Sequence, residues 1–478
     1  MTTQLHATAS PPQPAERAGR ESACDVAVLG GGISGLAAAI YLVRGGASVI
    51  LLEPADRPGG ALRTLRDGDW TFELGPNTVL EKPPVRELLE AAGLTGERVA
   101  AAPAGKRRYI WKGDRLEAMP GGPLGLVRTP LFPAAAKLAL LREPFVGRGP
   151  ATRPGAGDGD ESIADFVRRR LGPAWLRYAV GPFVSGVYAG DPERLSVRWA
   201  VARIAALERD HGSLIRGALA KRKGPAPGGA MIGYTGGFEA LGRRLAEQLP
   251  DVRLGSPATA LERRGDRWRV STPAGAVEAA QVVVALPADT TAELLAAPSG
   301  GRSGMLAEIP YAPVAVACLG YRREQVAHPL DGFGFLAPRG EGLRVLGGLF
   351  SSSLFPGRAP AGHVALTVFA GGAMDRELVA LPEEEVWRAV EGDLDRALGL
   401  RGEPVFRHLR RWPRAIPQYE IGHGRFVALA RELERELPGV HLAGNWHGGV
   451  SVPDSIARGA EIAQRALARR SAQAAATT

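Results

Sequence analysis

Gly30-Gly31-Gly32-Ile33-Ser34-Gly35 lies between the short apolar run Asp25-Val26-Ala27-Val28-Leu29 and the helix-like stretch Leu36 to Arg44. It fits G-x-G-x-x-G in a strand–turn–helix setting. The first glycine allows a tight turn, the second lets backbone approach a pyrophosphate, and the third lets helix pack on strand. The helix N-terminus then offers free N–H groups and a partial positive charge to an anion. Ala47 to Glu53 reads as the next strand, ending in a carboxylate placed to accept hydrogen bonds from an adenosine ribose. These features suit NAD and FAD equally.

Three others favour FAD. Arg57-Pro58-Gly59-Gly60 follows the second strand, with Ala61 and Arg63 just beyond. The chain carries one dinucleotide fingerprint, which argues against a reductase holding NAD beside a separate flavin. Gly444-Asn445 and Gly448-Gly449-Val450-Ser451-Val452-Pro453 precede the last helix-like stretch, whose N-terminus would face the flavin pyrimidine edge. A helix dipole there stabilises negative charge on reduced flavin and raises its potential as an oxidant.

At 478 residues the chain is long enough for two or three domains, and 45% hydrophobic with 23% charged residues suits a soluble globular protein. Cys24 and Cys318 are its only cysteines, so no disulfide framework and no metal site is expected, and a reducing compartment is. The formal net charge of +9 attracts anions, but no basic–aromatic cluster favours nucleic acid. No apolar run reaches the roughly 18 residues of a membrane-spanning helix. Residues 1–22 lack an apolar core and read as a disordered tail rather than a secretory signal, and 471–478 read as a second tail.

Helical patterns occupy Ala134–Leu141 and Ser162–Leu171, interrupted by the Gly/Pro/Asp-rich loop Gly147 to Asp160. Strands are predicted at Trp268–Ser271, Gln281–Leu286 and Val440–Gly444, and a helix from Asp454 to Arg470.

The cofactor pattern resembles the amine oxidase/phytoene desaturase superfamily of flavoproteins, over nearly the whole chain after residue 23. Many of those proteins carry Arg directly after the Gly-Gly pair, where this sequence has Ala61, so Arg63 is expected to take part of that role. Six further segments look like the oxygen-dependent protoporphyrinogen/coproporphyrinogen oxidases. They are Glu73 to Thr78, Ser185 to Pro192, His211 to Ile215, Asp331 to Leu336, Ser351 to Pro356 and Ala415 to Tyr419.

That resemblance implies an α/β chain, α+β taken whole. Its Rossmann-like FAD-binding domain would be built from 23–105, 224–300 and 412–470. A mixed-sheet substrate domain would comprise 106–119 and 301–411, with a helical, membrane-facing domain at 120–223. The flavin takes hydride from a porphyrinogen and O2 regenerates it, so no catalytic side chain is assigned. The cofactor site it implies comprises Gly30, Gly31, Gly32, Ile33, Ser34, Gly35, Glu53, Gly60, Ala61, Arg63, Gly75, Pro76, Asn77, Thr78, Ala258, Gly444, Asn445, Val450, Ser451 and Val452.

Phe333, Leu336 and Phe369 would form an apolar slot for a flat macrocycle, Asn77 would lie near flavin and substrate, and Arg108 would hold a propionate, with Arg107 as the alternate. Each of the three also reads as ordinary core, and His447 as a structural histidine or a general base. Pro120–Pro133 and Leu138–Val146 suit either a bilayer surface or a covered interdomain helix. The resemblance further implies a cytoplasmic protein, peripheral on the inner face of the cell membrane, that forms a homodimer and meets ferrochelatase or another haem-pathway enzyme. Coproporphyrinogen III, with four carboxylates, stays open beside protoporphyrinogen IX, with two; Lys82, Lys106 and Arg107 are the cations it would call on. An amine oxidase, a carotenoid desaturase and a non-catalytic flavin scaffold are the more distant readings.

Overall fold

The computed structural model describes residues 22–153, 159–221 and 229–477. The expected N-terminal tail therefore lies outside the described residues except for Ser22, which opens the first strand. That strand, β1 (Ser22–Leu29), leads through the glycine turn into helix α1 (Ile33–Arg44) and on to β2 (Val49–Leu52). β1 and β2 pair in parallel, Val26 opposite Val49 through Leu29 opposite Leu52. Apolar runs such as Val-Ile-Leu-Leu suit strands covered on both faces, where side chains alternate between two cores.

The first sheet has seven strands. Gly275–Val284 lies parallel to β1 on one side and to Val440–Leu442 on the other. Arg267–Thr272 and Ala260–Arg264 add an antiparallel edge. One face packs Val26, Val28 and Leu51 against α1 and the C-terminal helix; the other packs Ala27, Leu29 and Val284 against Leu429 and Leu433. Each such fully buried aliphatic side chain contributes roughly 1.5–3 kcal/mol.

The second sheet also has seven strands, ordered Phe406–Pro417, Tyr311–Arg322, His363–Gly371, Val345–Leu349, Gly334–Leu336, Tyr109–Lys112 and Arg115–Ala118. It is mixed, because Gly334–Leu336 runs parallel to Tyr109–Lys112 while its other pairs are antiparallel. The strand Phe406–Pro417 continues through residue 412, the boundary the resemblance implies, with a bulge against Tyr311–Arg322 between 412 and 416.

Among the described residues no strand lies between Ala118 and Met231. Short helices fill that stretch, tied together by a buried ionic knot. Arg170 donates from Nη1 to Glu143 Oε1 and from Nε to Glu208 Oε1, both at 2.9 Å, and Glu143 accepts the Ser213 hydroxyl at 2.5 Å. Removing one partner of such a knot leaves a buried charge and costs about 3–5 kcal/mol.

The C-terminal helix differs from expectation. It runs Val452–Thr477, not from Asp454 to Arg470, and the expected tail from 471 is its last turns. Ala472, Ala474, Ala475 and Ala476 explain this: alanine has the highest helix propensity and needs no packed face. Residue 478 lies outside the described residues. No helix among them is long and apolar enough to cross a membrane.

Candidate functional site

The glycine turn holds its shape through backbone contacts that exclude side chains. A Cβ on Gly35 would collide with the Gly30 carbonyl oxygen, so helix and strand meet only because residue 35 is glycine. Gly32 is the opposite case: a Cβ there would meet nothing within 4 Å. It caps α1 with no side-chain hydrogen bond and no acidic residue in the first turn. Ser34, within the first turn, has a buried hydroxyl without a partner. A cradle of this kind, open in front of an uncapped helix N-terminus, fits a dinucleotide pyrophosphate.

Glu53 lies directly behind the turn. Its Oε2 accepts the Gly31 N–H at 2.6 Å and its Oε1 the Ala55 N–H at 2.9 Å. The carboxylate thus fixes the turn, a task the sequence does not announce, and has lone pairs left over.

A second glycine turn docks on the first. The Gly59 N–H donates to the Gly31 carbonyl at 2.8 Å, and Gly60 approaches Gly32 so closely that an added Cβ would lie 3.1 Å from its Cα. Arg57 does not point at an anion. Its guanidinium laces its own loop, donating to the carbonyls of Gly60 at 2.9 Å and Leu62 at 3.2 Å. Ala61 is exposed and its carbonyl is packed against Gly75. Arg63 is half-buried, and its carbonyl accepts the Leu74 N–H at 2.8 Å. The Leu74 carbonyl in turn accepts Trp412 Nε1 at 2.7 Å, and the Arg410 guanidinium lies 4.5 Å over the Trp412 ring. Burial first, and Arg63 and Arg57 next, hold the Arg410 guanidinium below its usual range, so positive charge gathers here.

Gly75, Pro76, Asn77 and Thr78 follow the strand Trp70–Glu73. Asn77 turns its amide N–H groups back on the carbonyls of Glu73 and Gly75, at 3.2 and 3.0 Å. Beneath it, Glu73 and Arg358 form a buried pair at 2.9 Å, and Glu73 also accepts the Thr64 hydroxyl at 2.7 Å. Burial pushes the Glu73 carboxyl up, against the pull of Arg358. Sequence reading missed this pair because 285 residues separate its members. Ala258 sits partly buried against the first sheet's core.

At the other end, Gly444, Asn445 and Gly448 to Ser451 form a loop, and Val452 opens the C-terminal helix. The Ser451 hydroxyl accepts the Asp454 N–H at 3.3 Å and donates to Asp454 Oδ2 at 2.5 Å. His447 is buried, and burial pushes its imidazole down to about 3. A group that holds a proton so weakly is a poor base near neutrality, which favours the structural reading.

In the second sheet, Gly347 stands between Leu336 on one neighbouring strand and Phe369 on the other. Its φ of +156° and its approach to the Phe335 carbonyl leave no room for a side chain. Leu336 and Phe369 therefore flank a bare strip of sheet. Phe333 lies outside this ladder, with the exposed Arg108 guanidinium 5.4 Å over its ring. Arg107 is ion-paired with Asp331, which also accepts the Tyr109 hydroxyl at 2.6 Å.

Residues 33–467 match the flavin containing amine oxidoreductase family. Protoporphyrinogen oxidase 2 of Arabidopsis thaliana is 32% identical over 472 residues, covering 92% of each chain. The chain belongs to the protoporphyrinogen oxidase family of flavin-containing amine oxidoreductases. The human protoporphyrinogen oxidase is 33% identical, over 92% of this chain and 98% of its own. The cyclohexylamine oxidase of Brevibacterium oxydans, 20% identical, superposes with a TM-score of 0.68 over 94% of this chain and 99% of its own, a likeness of fold. As a protoporphyrinogen oxidase family member, the protein is an FAD-dependent oxidoreductase with the α/β amine-oxidase fold.

Proposed function

We propose that the protein oxidises protoporphyrinogen IX to protoporphyrin IX in haem biosynthesis, with O2 as the final acceptor and peroxide as the by-product. The observation that carries this reading is near-full-length similarity to proteins named for that reaction. Bound FAD supplies the hydride acceptor, and aromatisation of the ring supplies the driving force. The chain's part is to hold both molecules. Gly30 to Gly35, Glu53 and the Gly59–Gly60 turn bind the cofactor; Leu336 and Phe369 offer a flat apolar face; Arg108 orients a propionate, with Phe333 under its guanidinium. A planar guanidinium donating two parallel hydrogen bonds fixes a carboxylate in direction as well as place.

The pairing of two of the three cations that a tetracarboxylate would call on supports the dicarboxylate; the third, Lys106, is exposed. Arg107 is already matched by Asp331, and Lys82 lies 3.7 Å from Asp454. Arg108 has no acidic partner among the described residues. Aerobic turnover of each porphyrinogen, read by porphyrin fluorescence, tests the choice. Faster formation of coproporphyrin III would reverse it.

Peripheral membrane docking belongs to the same reading. Leu124, Val127, Leu138, Leu141 and Phe145 project from the helical stretch, Phe145 83% exposed, which supports contact with the inner face of the cell membrane. Retention of an otherwise cytoplasmic protein on anionic liposomes, reduced by high salt, is the check. The proposed homodimer and contact with ferrochelatase are open to sedimentation and co-purification.

A further inference from the structure

Tyr419 lies just past the strand Phe406–Pro417 and is 3% exposed. Its hydroxyl donates to the Asn445 carbonyl at 2.5 Å and accepts the Gly449 N–H at 3.0 Å. Those two groups bracket Trp446, His447 and Gly448, in a loop that is neither helix nor strand. His423, its ring stacked on Tyr419 at 4.2 Å, turns Nε2 to the Trp446 carbonyl at 3.1 Å. Two stacked side chains therefore grip three backbone groups of the loop that precedes the C-terminal helix.

The same short segment is anchored behind. The Tyr419 carbonyl accepts the Ser196 N–H at 2.8 Å, and Gln418 donates from its side chain to the Tyr188 carbonyl at 2.9 Å. The second sheet, the helical stretch and the glycine loop thus meet at residues 418–423. A buried tyrosine hydroxyl needs partners, and a single carbonyl would satisfy it. Here it is both donor and acceptor to one loop, whose glycines 444, 448 and 449 all have positive φ and bring no side chains of their own to fix it.

We propose that Tyr419 is a positioning residue for the flavin. Through Asn445 and Gly449 it sets the direction of the loop's N–H groups toward the pyrimidine edge of the ring, and with it FAD affinity and reduction potential. Donors held rigidly where negative charge develops stabilise it without reorganising, whereas donors on a slack loop must first be ordered. Burial holds the hydroxyl of Tyr419 protonated well above neutral pH, so it remains a donor throughout the working range. The proposal rests on the flavin site assigned above.

The test compares Tyr419→Phe with Tyr188→Phe in the FAD-loaded protein. Tyr188 also loses a hydroxyl, a part-buried one bonded to the Ala200 carbonyl rather than to the loop. Tyr419→Phe should weaken FAD binding about tenfold, the scale of one or two lost hydrogen bonds. It should also displace the reduction potential measured against redox dyes and change the shape of the visible flavin band. Tyr188→Phe should lower only the melting temperature. If Tyr419→Phe does the same and leaves affinity, potential and spectrum unchanged, the residue is structural and the proposal fails. Should Tyr419→Phe not fold, 3-fluorotyrosine at 419 keeps the ring and strengthens the donor; an unmoved potential would overturn the idea equally. A wild-type protein that takes up no FAD sinks the flavin reading itself, before any substitution is made.

Discussion

The two helix ends assigned to the cofactor treat their backbone N–H groups in opposite ways. α1 starts at Gly32 with no side-chain cap, no acid in its first turn and open space in front. The C-terminal helix is capped by Ser451 and carries Asp454 in its first turn. A missing cap costs a helix about 1 kcal/mol, so a bare end fits a ligand that supplies the missing acceptor. A capped end with its own carboxylate has already used much of its dipole. The pyrophosphate therefore suits the first end. At the second, the Ser451 cap and Asp454 leave less free dipole than the sequence suggests.

Acid should separate the two ends most. Among the described residues no histidine precedes His211, whereas His423, His441 and His447 are buried near the last strand and loop. Burial pushes them down to about 4, 4 and 3. The unfolded chain binds protons on these imidazoles from about pH 6.5 downward, and the folded chain does not. Their stability contribution is intact above that pH and is lost as pH falls toward 4. Melting temperature should drop steeply over this window; a flat profile would mean these rings are not buried neutral.

Gly32→Asp would make the first end like the second. The site has room, so the apoprotein should melt no lower than wild type. FAD affinity should nonetheless fall about 100-fold, because a carboxylate takes the place of the phosphate acceptor and repels it. Unimpaired FAD binding would remove the pyrophosphate from α1.

Arg108→Ala asks whether an unpaired cation plays the same part toward substrate. KM for the porphyrinogen should rise roughly tenfold, the loss of one charge-assisted contact, while FAD content and melting temperature hold. Arg108→Lys should recover part of the loss. Unchanged kinetics would take Arg108 out of the site. The smallest effect is expected from Asp454→Asn, which frees the second dipole and should tighten FAD binding about two- to fivefold, at roughly 0.3–1 kcal/mol. No change would show that this dipole does not reach the ring.

What the sequence announces is local. The glycine spacing and the apolar runs beside it place β1, α1 and β2 because turn geometry and strand burial are decided within a few residues. The order of the second sheet, the Arg170 knot and the Glu73–Arg358 pair depend on partners scores of residues away, and no local pattern marks them. The Arg57-Pro58-Gly59-Gly60 segment is legible as a motif, but that Arg57 laces the carbonyls of its own loop is visible only in the structure. The last helical turns escaped notice because alanine carries propensity without the apolar periodicity that identifies a packed helix.

Both thiols are buried within the two sheets: Cys24 on β1 and Cys318 on the strand Tyr311–Arg322. Burial pushes the Cys24 thiol up to about 11 and that of Cys318 higher still. Peroxide oxidises the thiolate, and neither residue presents one near neutral pH. An oxidase of this design sheds its own oxidant past a surface with no reactive sulfhydryl among the described residues, so sulfenylation and thiol cross-linking have no foothold during turnover. Methionine is the sulfur left within reach, most openly at Met305 among the described residues.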